Sequence, residues 1–238
     1  MLTALITGGS RGIGAQTVRA FTQAGYRVAF FYLNSEAAAQ VLSQETGAVA
    51  IRCDVRDAQS VRMACAEAVR QLSHIDVLVN NAGVAQQKLF TDITDEDWNA
   101  MIGTHLTGAF FVTRAVLPGM ISRRYGRIIN VSSIWGQVGA SCETHYSAAK
   151  AGLIGLTKAL AKESAPSGVT VNCICPGVIE TDMLSSFTSE DLASLAEETP
   201  VGRLGTPEDI ARAIVWLADE QSSFVTGQVI GINGGFGE

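Results

Sequence analysis

Basic residues are in short supply in this chain. Its 238 residues carry 17 Lys and Arg against 23 Asp and Glu, a formal net charge of −6, which argues against the clustered basic face that a nucleic-acid backbone requires. Long apolar runs are missing as well: none reaches the ~18 residues needed to span a bilayer. The opening Met-Leu-Thr-Ala-Leu-Ile-Thr-Gly lacks the basic stretch and cleavage site of a signal peptide and reads directly as a strand. The three histidines have no ligand spacing to any cysteine, so no metal is expected. Five cysteines, Cys53, Cys65, Cys142, Cys173 and Cys175, form an odd set without a Cys-x-x-Cys pair. Reduced structural thiols in a cytoplasmic protein are the expected state. Charged residues make up only 17% against 47% hydrophobic, a balance that argues against disorder and permits a large core.

What is present is an alternation. Apolar runs at Leu2–Thr7, Arg27–Tyr32, Ala48–Cys53, Asp76–Asn80, Arg127–Val131, Val169–Ile174 and Gln228–Ile232 read as strands. Most are continuously apolar, as parallel strands buried on both faces should be. Helical periodicity falls between them, at Gly12–Ala24, Glu36–Thr46, Ala58–Leu72, Asp95–Ile121, Thr144–Ser164 and Pro207–Asp219. The last has a cap at Thr206, Pro207 at its first position and acids in its first turn. The pattern predicts an α/β fold, a doubly wound parallel sheet with right-handed crossovers. No linker or repeat interrupts it, so residues 1–238 are expected to form one domain. The stretch 180–205 lacks a strand and suits a substrate lid or a surface excursion.

Tyr146 and Lys150 lie four apart in Glu-Thr-His-Tyr-Ser-Ala-Ala-Lys. On a helix they share a face, where an ammonium can favour the ionised phenol and draw its pKa down from about 10 toward working pH. A tuned phenol is a general acid or base for a carbonyl oxygen. Taken alone, the pair also fits a plain exposed helix with a half-buried tyrosine. Thr7-Gly8-Gly9-Ser10-Arg11-Gly12-Ile13-Gly14 follows the first strand and opens the first helix. Glycines there allow a tight turn and close approach, and the helix N-terminus offers free N–H groups to a pyrophosphate.

The spacing Gly-x-x-x-Gly-x-Gly, then Asn80-Asn81-Ala82-Gly83, Ser133, Tyr146-x-x-x-Lys150 and Pro176-Gly177-Val178-Ile179-Glu180-Thr181, resembles the short-chain dehydrogenase/reductase family. The likeness runs from Thr3 to Asn233-Gly234-Gly235. It implies a Rossmann-type sheet of seven strands with helices on both faces, an NAD(P)-dependent oxidoreductase, and a homo-oligomer, with a homotetramer allowed by the apolar long helices. Tyr146 is then the proton donor to the substrate carbonyl, Lys150 holds the nicotinamide ribose and lowers the tyrosine pKa, and Ser133, thirteen residues before the tyrosine, bonds the same oxygen. Gly8, Ser10, Arg11, Gly12, Ile13, Gly14, Asn34, Asp54, Val55, Asn81, Ala82, Gly83, Pro176, Gly177, Ile179 and Thr181 join Tyr146 and Lys150 as cofactor contacts. NADP(H) is favoured over NAD(H), because Leu33-Asn34-Ser35 after the second strand lacks a carboxylate and Arg11 supplies a cation. One position departs from the family: His105 stands where an asparagine usually supports a water behind the lysine. Histidine there either preserves the relay with a pH dependence or is a packed substitute.

The nearest group by resemblance is the bacterial 3-oxoacyl-(acyl carrier protein) reductases, whose acidic carrier would meet basic residues near the site entrance. Arg123, Arg124 and Arg127 are the candidates, while Ser167 replaces a second basic position of that group. The segment Ser132–Glu143 is also similar to the reductases of the 5-aminopentanone modification on elongation factor P. In that reading Glu143 faces an amine, and Trp135 and Cys142 line the same pocket. The substrate is therefore a small or carrier-bound ketone, with acyl carrier protein or elongation factor P as partner candidates.

Overall fold

Neighbouring residues of the strands feed two different cores, which is why the runs carry no polar alternation. Ile6, Phe30, Val79, Ile129 and Ile174 pack on one face. Leu5, Phe31, Leu78, Ile128 and Val171 pack on the other. The computed structural model describes residues 1–184 and 187–237. Its strands are β1 (Thr3–Ile6), β2 (Arg27–Tyr32), β3 (Val49–Arg52), β4 (Val77–Asn80), β5 (Gly126–Val131), β6 (Val169–Pro176) and β7 (Val229–Ile232). They form one parallel sheet in the order β3-β2-β1-β4-β5-β6-β7. Winding reverses between β1 and β4, so a crevice opens at the carboxyl ends of these strands.

The helices are α1 (Gly12–Gln23), α2 (Glu36–Thr46), α3 (Ala58–Leu72), α4 (Asp95–Ile102), α5 (Gly108–Arg123), α6 (Trp135–Val138), α7 (Thr144–Ser164), α8 (Ser189–Glu198) and α9 (Pro207–Ala218). Val18 and Phe21 of α1 meet Ile210, Ile214 and Leu217 of α9 on one face. Val61, Ala64 and Leu72 of α3 meet Val112, Val116 and Met120 of α5 on the other. This is the seven-stranded Rossmann-type sheet that the sequence predicts.

Three local features differ from expectation. The unbroken helix at Asp95–Ile121 carries one π turn, Gly103–Thr107, between α4 and α5. Gly108 follows it where a Cβ would stand 2.9 Å from Val55 Cγ2, so the helix meets the loop after β3 at backbone distance. The run Asp95–Arg123 also has the length and apolar composition of a membrane span. One face of it packs on the sheet: Val112, Val116 and Met120 press into the layer, and His105 is buried on it. Within 180–205 stands α8, started by a Thr188/Asp191 capping box.

Buried amides tie the sheet to the helices that carry the site. Asn80 Nδ2 donates to Asn130 Oδ1 at 2.8 Å and to Thr113 Oγ1 at 3.0 Å, and Asn130 Nδ2 donates to Thr157 Oγ1 at 2.8 Å. β4, β5, α5 and α7 are thereby fixed to one another beneath the crevice.

The start of α9 is held by Thr206 Oγ1 accepting from Asp209 N, with Asp209 bonding back to Thr206 N. Thr206→Ala is expected to cost about 1 kcal/mol of unfolding free energy. Urea denaturation should show this as a lower midpoint at unchanged slope.

Candidate active site

The glycine turn forms as its spacing requires. Gly8 and Gly12 adopt φ of +64° and +52°, and a Cβ on Gly14 would lie 2.1 Å from Gly8 O, so no side chain fits there. Arg11 caps α1 without a side-chain bond to its first N–H groups, which leaves them for an anion. Asn81 Nδ2 braces the turn, donating to Thr7 O at 3.0 Å and Gly8 O at 3.1 Å.

Beside this turn lies a groove of about 360 Å³. It gathers Gly8, Ser10, Arg11, Gly12, Ile13, Gly14, Asn34, Asp54, Val55, Asn81, Ala82, Gly83 and Thr181. A glycine cradle at a helix N-terminus, opening into an elongated groove, fits a dinucleotide. Leu33, Asn34 and Ser35, the turn after β2, line it too and carry no carboxylate themselves. Asp54 is engaged by Arg56 at 2.7 Å, a groove residue that sequence reasoning missed. Arg11 reaches Asp182 at 3.5 Å across the groove.

A second cavity, of about 730 Å³, shares Ile13, Asn81, Gly83 and Thr181 with the groove. Ser133, Tyr146, Lys150, His105, Trp135 and Glu143 line it, as do Pro176, Gly177 and Ile179. Cys142 is not among its lining residues, although its neighbours Ser141 and Glu143 are; its backbone is left-handed at φ +62° and its carbonyl accepts from Lys88 N at 2.8 Å. Gln86, Gln87, Leu184, Phe187 and Leu195 also line the cavity. No sequence motif announced them, because loop and lid residues show no periodicity.

Tyr146 and Lys150 rise from the first turns of α7. Lys150 is buried, and its Nζ donates to Val131 O at 2.8 Å and stands 5.4 Å from the Tyr146 ring centroid. Burial draws the ammonium down to about 8. The same burial pushes the Tyr146 phenol up to about 12, with the Ser133 hydroxyl opposing and Glu143 adding to the rise. The shift is therefore upward and not the expected downward one: burial is its largest cause, and the ammonium is bonded to the strand rather than to the phenol. Tyr146 is held as an acid. Ser133 Oγ accepts from Trp135 N at 3.1 Å, whereas Ser132 Oγ turns away to Lys150 O at 2.9 Å, so the two hydroxyls diverge as the strand end dictates.

His105 is 3% exposed and packs edge-on against Tyr146 at 5.2 Å. Its Cε1 fills the space over Gly83, where a Cβ would approach to 2.5 Å. Nε2 lies 2.8 Å from Val84 O and 3.1 Å from Val84 N, donating to the first or accepting from the second according to tautomer. Burial, then the Lys150 charge, holds its pKa well below the usual range. This environment favours the neutral imidazole.

Arg123, Arg124 and Arg127 do not gather at the site within one chain. They stand where α5 ends and β5 begins, at the end of that strand opposite to Ser133. Arg127 is 3% exposed and stacks 4.5 Å over Tyr125, Arg123 reaches Ile75 O and Asp76, and Arg124 donates to Pro166 O. Among the described residues no cluster of His, Cys, Asp and Glu could hold a metal ion.

A family model described as enoyl-(acyl carrier protein) reductase matches residues 8–237. The chain is 47% identical over 233 residues to an acetoacetyl-CoA reductase of Shinella zoogloeoides, covering 98% of this chain and 97% of the relative. It is 42% identical over 238 residues to a 3-oxoacyl-(acyl-carrier-protein) reductase of Chlamydia trachomatis, covering 98% and 96%. To the enzyme of that name in Escherichia coli it is 38% identical over 234 residues, covering 98% and 96%.

The Lys150 shift has a defined sign. Its folded value of about 8 lies below 10.5, so the unfolded chain binds more protons between these values and this group's contribution to stability rises with pH across that window. Lys150→Met should therefore be more stable than the wild type below pH 8 in urea unfolding, with the gain shrinking toward pH 10.5. A gain independent of pH would contradict the assignment.

Proposed function

The chain belongs to the short-chain dehydrogenase/reductase family, and from that premise we propose an NADPH-dependent reductase that converts a 3-oxoacyl thioester to its 3-hydroxyacyl product. It is an oxidoreductase of ketone and alcohol groups. The observation that carries the reading is the meeting of groove and cavity at Thr181, Asn81 and Gly83, with Tyr146 and Ser133 on the cavity side. The family model's description names an enoyl bond, while the relatives' names specify a 3-oxo group. Two hydroxyls beside one another suit a carbonyl oxygen, which accepts both bonds, better than an alkene carbon.

The cofactor supplies hydride chemistry; the chain binds, orients and moves the proton. The Gly8–Gly14 turn and the α1 N-terminus receive the pyrophosphate, and Arg11 with Asn34 favours the 2′-phosphate of NADP(H). Ser133 orients the substrate oxygen. Tyr146, kept protonated by burial, donates its proton to that oxygen as hydride arrives at carbon. The positive charge of Lys150, anchored on Val131, steadies the phenolate left behind. Leu184, Phe187 and Leu195 extend from 180–205 over the cavity, which supports a lid. Exposed Phe110 and Ile121 on α5, each 41% exposed, support a homotetramer.

A second reading has its own observation. Glu143 lines the cavity with Gln87 Nε2 donating at 3.2 Å, and burial raises its pKa. Among the described residues it forms no ion pair, so a cationic substrate would restore the favoured charge. That suits an amino-ketone such as the 5-aminopentanone group of elongation factor P. NADPH consumption across acetoacetyl thioesters, neutral ketones and amino-ketones separates the readings. The 3-oxoacyl proposal expects kcat/KM to be highest for the thioester and unaffected in rank by Glu143→Gln. Preference for the amino-ketone, lost in Glu143→Gln by about tenfold or more, would replace it with the second reading.

A further inference from the structure

The loop after β4 is held at successive residues by groups around the candidate site. His105 meets Val84. His145 Nε2 lies 2.9 Å from Gln86 Oε1, Gln87 donates to Glu143, and Lys88 N donates to Cys142 O. Gln86 and Gln87 line the larger cavity, so this loop is one of its walls. His145 directly precedes Tyr146 on α7 and is fully buried at 0% exposure.

The polarity of the chain of bonds through Gln86 is fixed from its far end. Asp97, paired with Lys88 at 2.5 Å, is a carboxylate and can only accept. Gln86 Nε2 must therefore be the atom that donates to Asp97 Oδ1 at 2.7 Å. This leaves Gln86 Oε1 facing His145, so Nε2 of the imidazole carries the proton and donates. His145 Nδ1 is buried without a partner. A buried imidazole with one nitrogen unpaired incurs a free-energy cost, and its one bond is spent on a loop residue. Asp97 belongs in turn to the α4 capping box with Thr94. Gln86 thus bolts together the start of α4, the cavity loop and the turn that presents Tyr146.

We propose that His145 is a positioning residue: through Gln86 and Asp97 it fixes the Val84–Lys88 loop as a rigid wall of the substrate cavity, so that the ketone meets a pre-set surface. The inference rests on the ketone-reductase reading for its kinetic consequence, but not for its structural one. Pre-organisation of a binding wall shows chiefly in substrate affinity. His145 does not touch the reacting atoms in this arrangement.

His145→Leu and Gln86→Leu, singly and together, test it with two readouts. Amide hydrogen exchange at Val84 and Lys88 should quicken by about tenfold or more in each variant, while amides of β4 and β5 keep their protection. KM for the ketone should rise by about tenfold with kcat within about threefold and KM for NADPH unchanged, and the double variant should be no worse than either single one. Unchanged loop exchange, a fall in kcat at constant KM, or penalties that add would each overturn the proposal. If His145→Leu does not fold, Gln86→Leu, which is half-buried, carries both readouts alone. If the wild-type protein reduces no ketone, the reductase reading fails, and the exchange measurement still decides whether His145 holds the loop.

Discussion

The hydrogen bond from Lys150 Nζ to Val131 O joins the helix that carries Tyr146 to the strand that ends at Ser133. Everything else in the site takes its place from that junction. The ammonium is buried, so it needs the carbonyl, and the carbonyl is available because β5 ends there, with its neighbours already paired along the sheet. The bond sets the height of α7 over the crevice, and with it the approach of Tyr146 to Ser133. The Asn80–Asn130–Thr157 bonds beneath make the same junction from below. A charge and its partner, taken out of water together, thus define the geometry in which a phenol and a hydroxyl can address one oxygen.

Burial also decides what the phenol can do. A phenol near an ammonium in water would be drawn toward ionisation, but here desolvation wins and the proton stays. An acid that retains its proton through the working range is suited to reduction, in which a proton must be delivered to an oxygen that gains charge. His105 belongs to the same dry region. Packed over Gly83 and against Tyr146, it remains neutral and serves the wall of the site by shape and by its bond to Val84.

Much of this was legible in the residues. The strands were visible because both faces of a parallel sheet are apolar, and the order Gly8–Gly14, Asn81, Ser133, Tyr146, Lys150 and Thr181 marked the residues that meet around the crevice. Helix α8 left a signal in Thr188-x-x-Asp191, but its few apolar residues, Leu192 and Leu195 among acids, gave weak periodicity. The π turn at Gly103–Thr107 has no local signature, and the close approach of Gly108 to Val55 joins residues far apart in the chain. The burial of Arg127 under Tyr125 was equally hidden, since an arginine beside two others reads as surface charge. The direction of the Tyr146 shift is hidden for the same reason: spacing reports proximity, whereas desolvation is a property of the whole packed site.

The central claim is that Tyr146 is the buried acid that completes ketone reduction. Its most direct test is Tyr146→Phe, which removes one oxygen from a packed ring, measured for NADPH binding by fluorescence and for NADPH oxidation with an acetoacetyl thioester. Binding is expected to stay within about twofold of wild type, and turnover to fall by about a hundredfold or more. Turnover preserved in a variant that binds NADPH normally would contradict it.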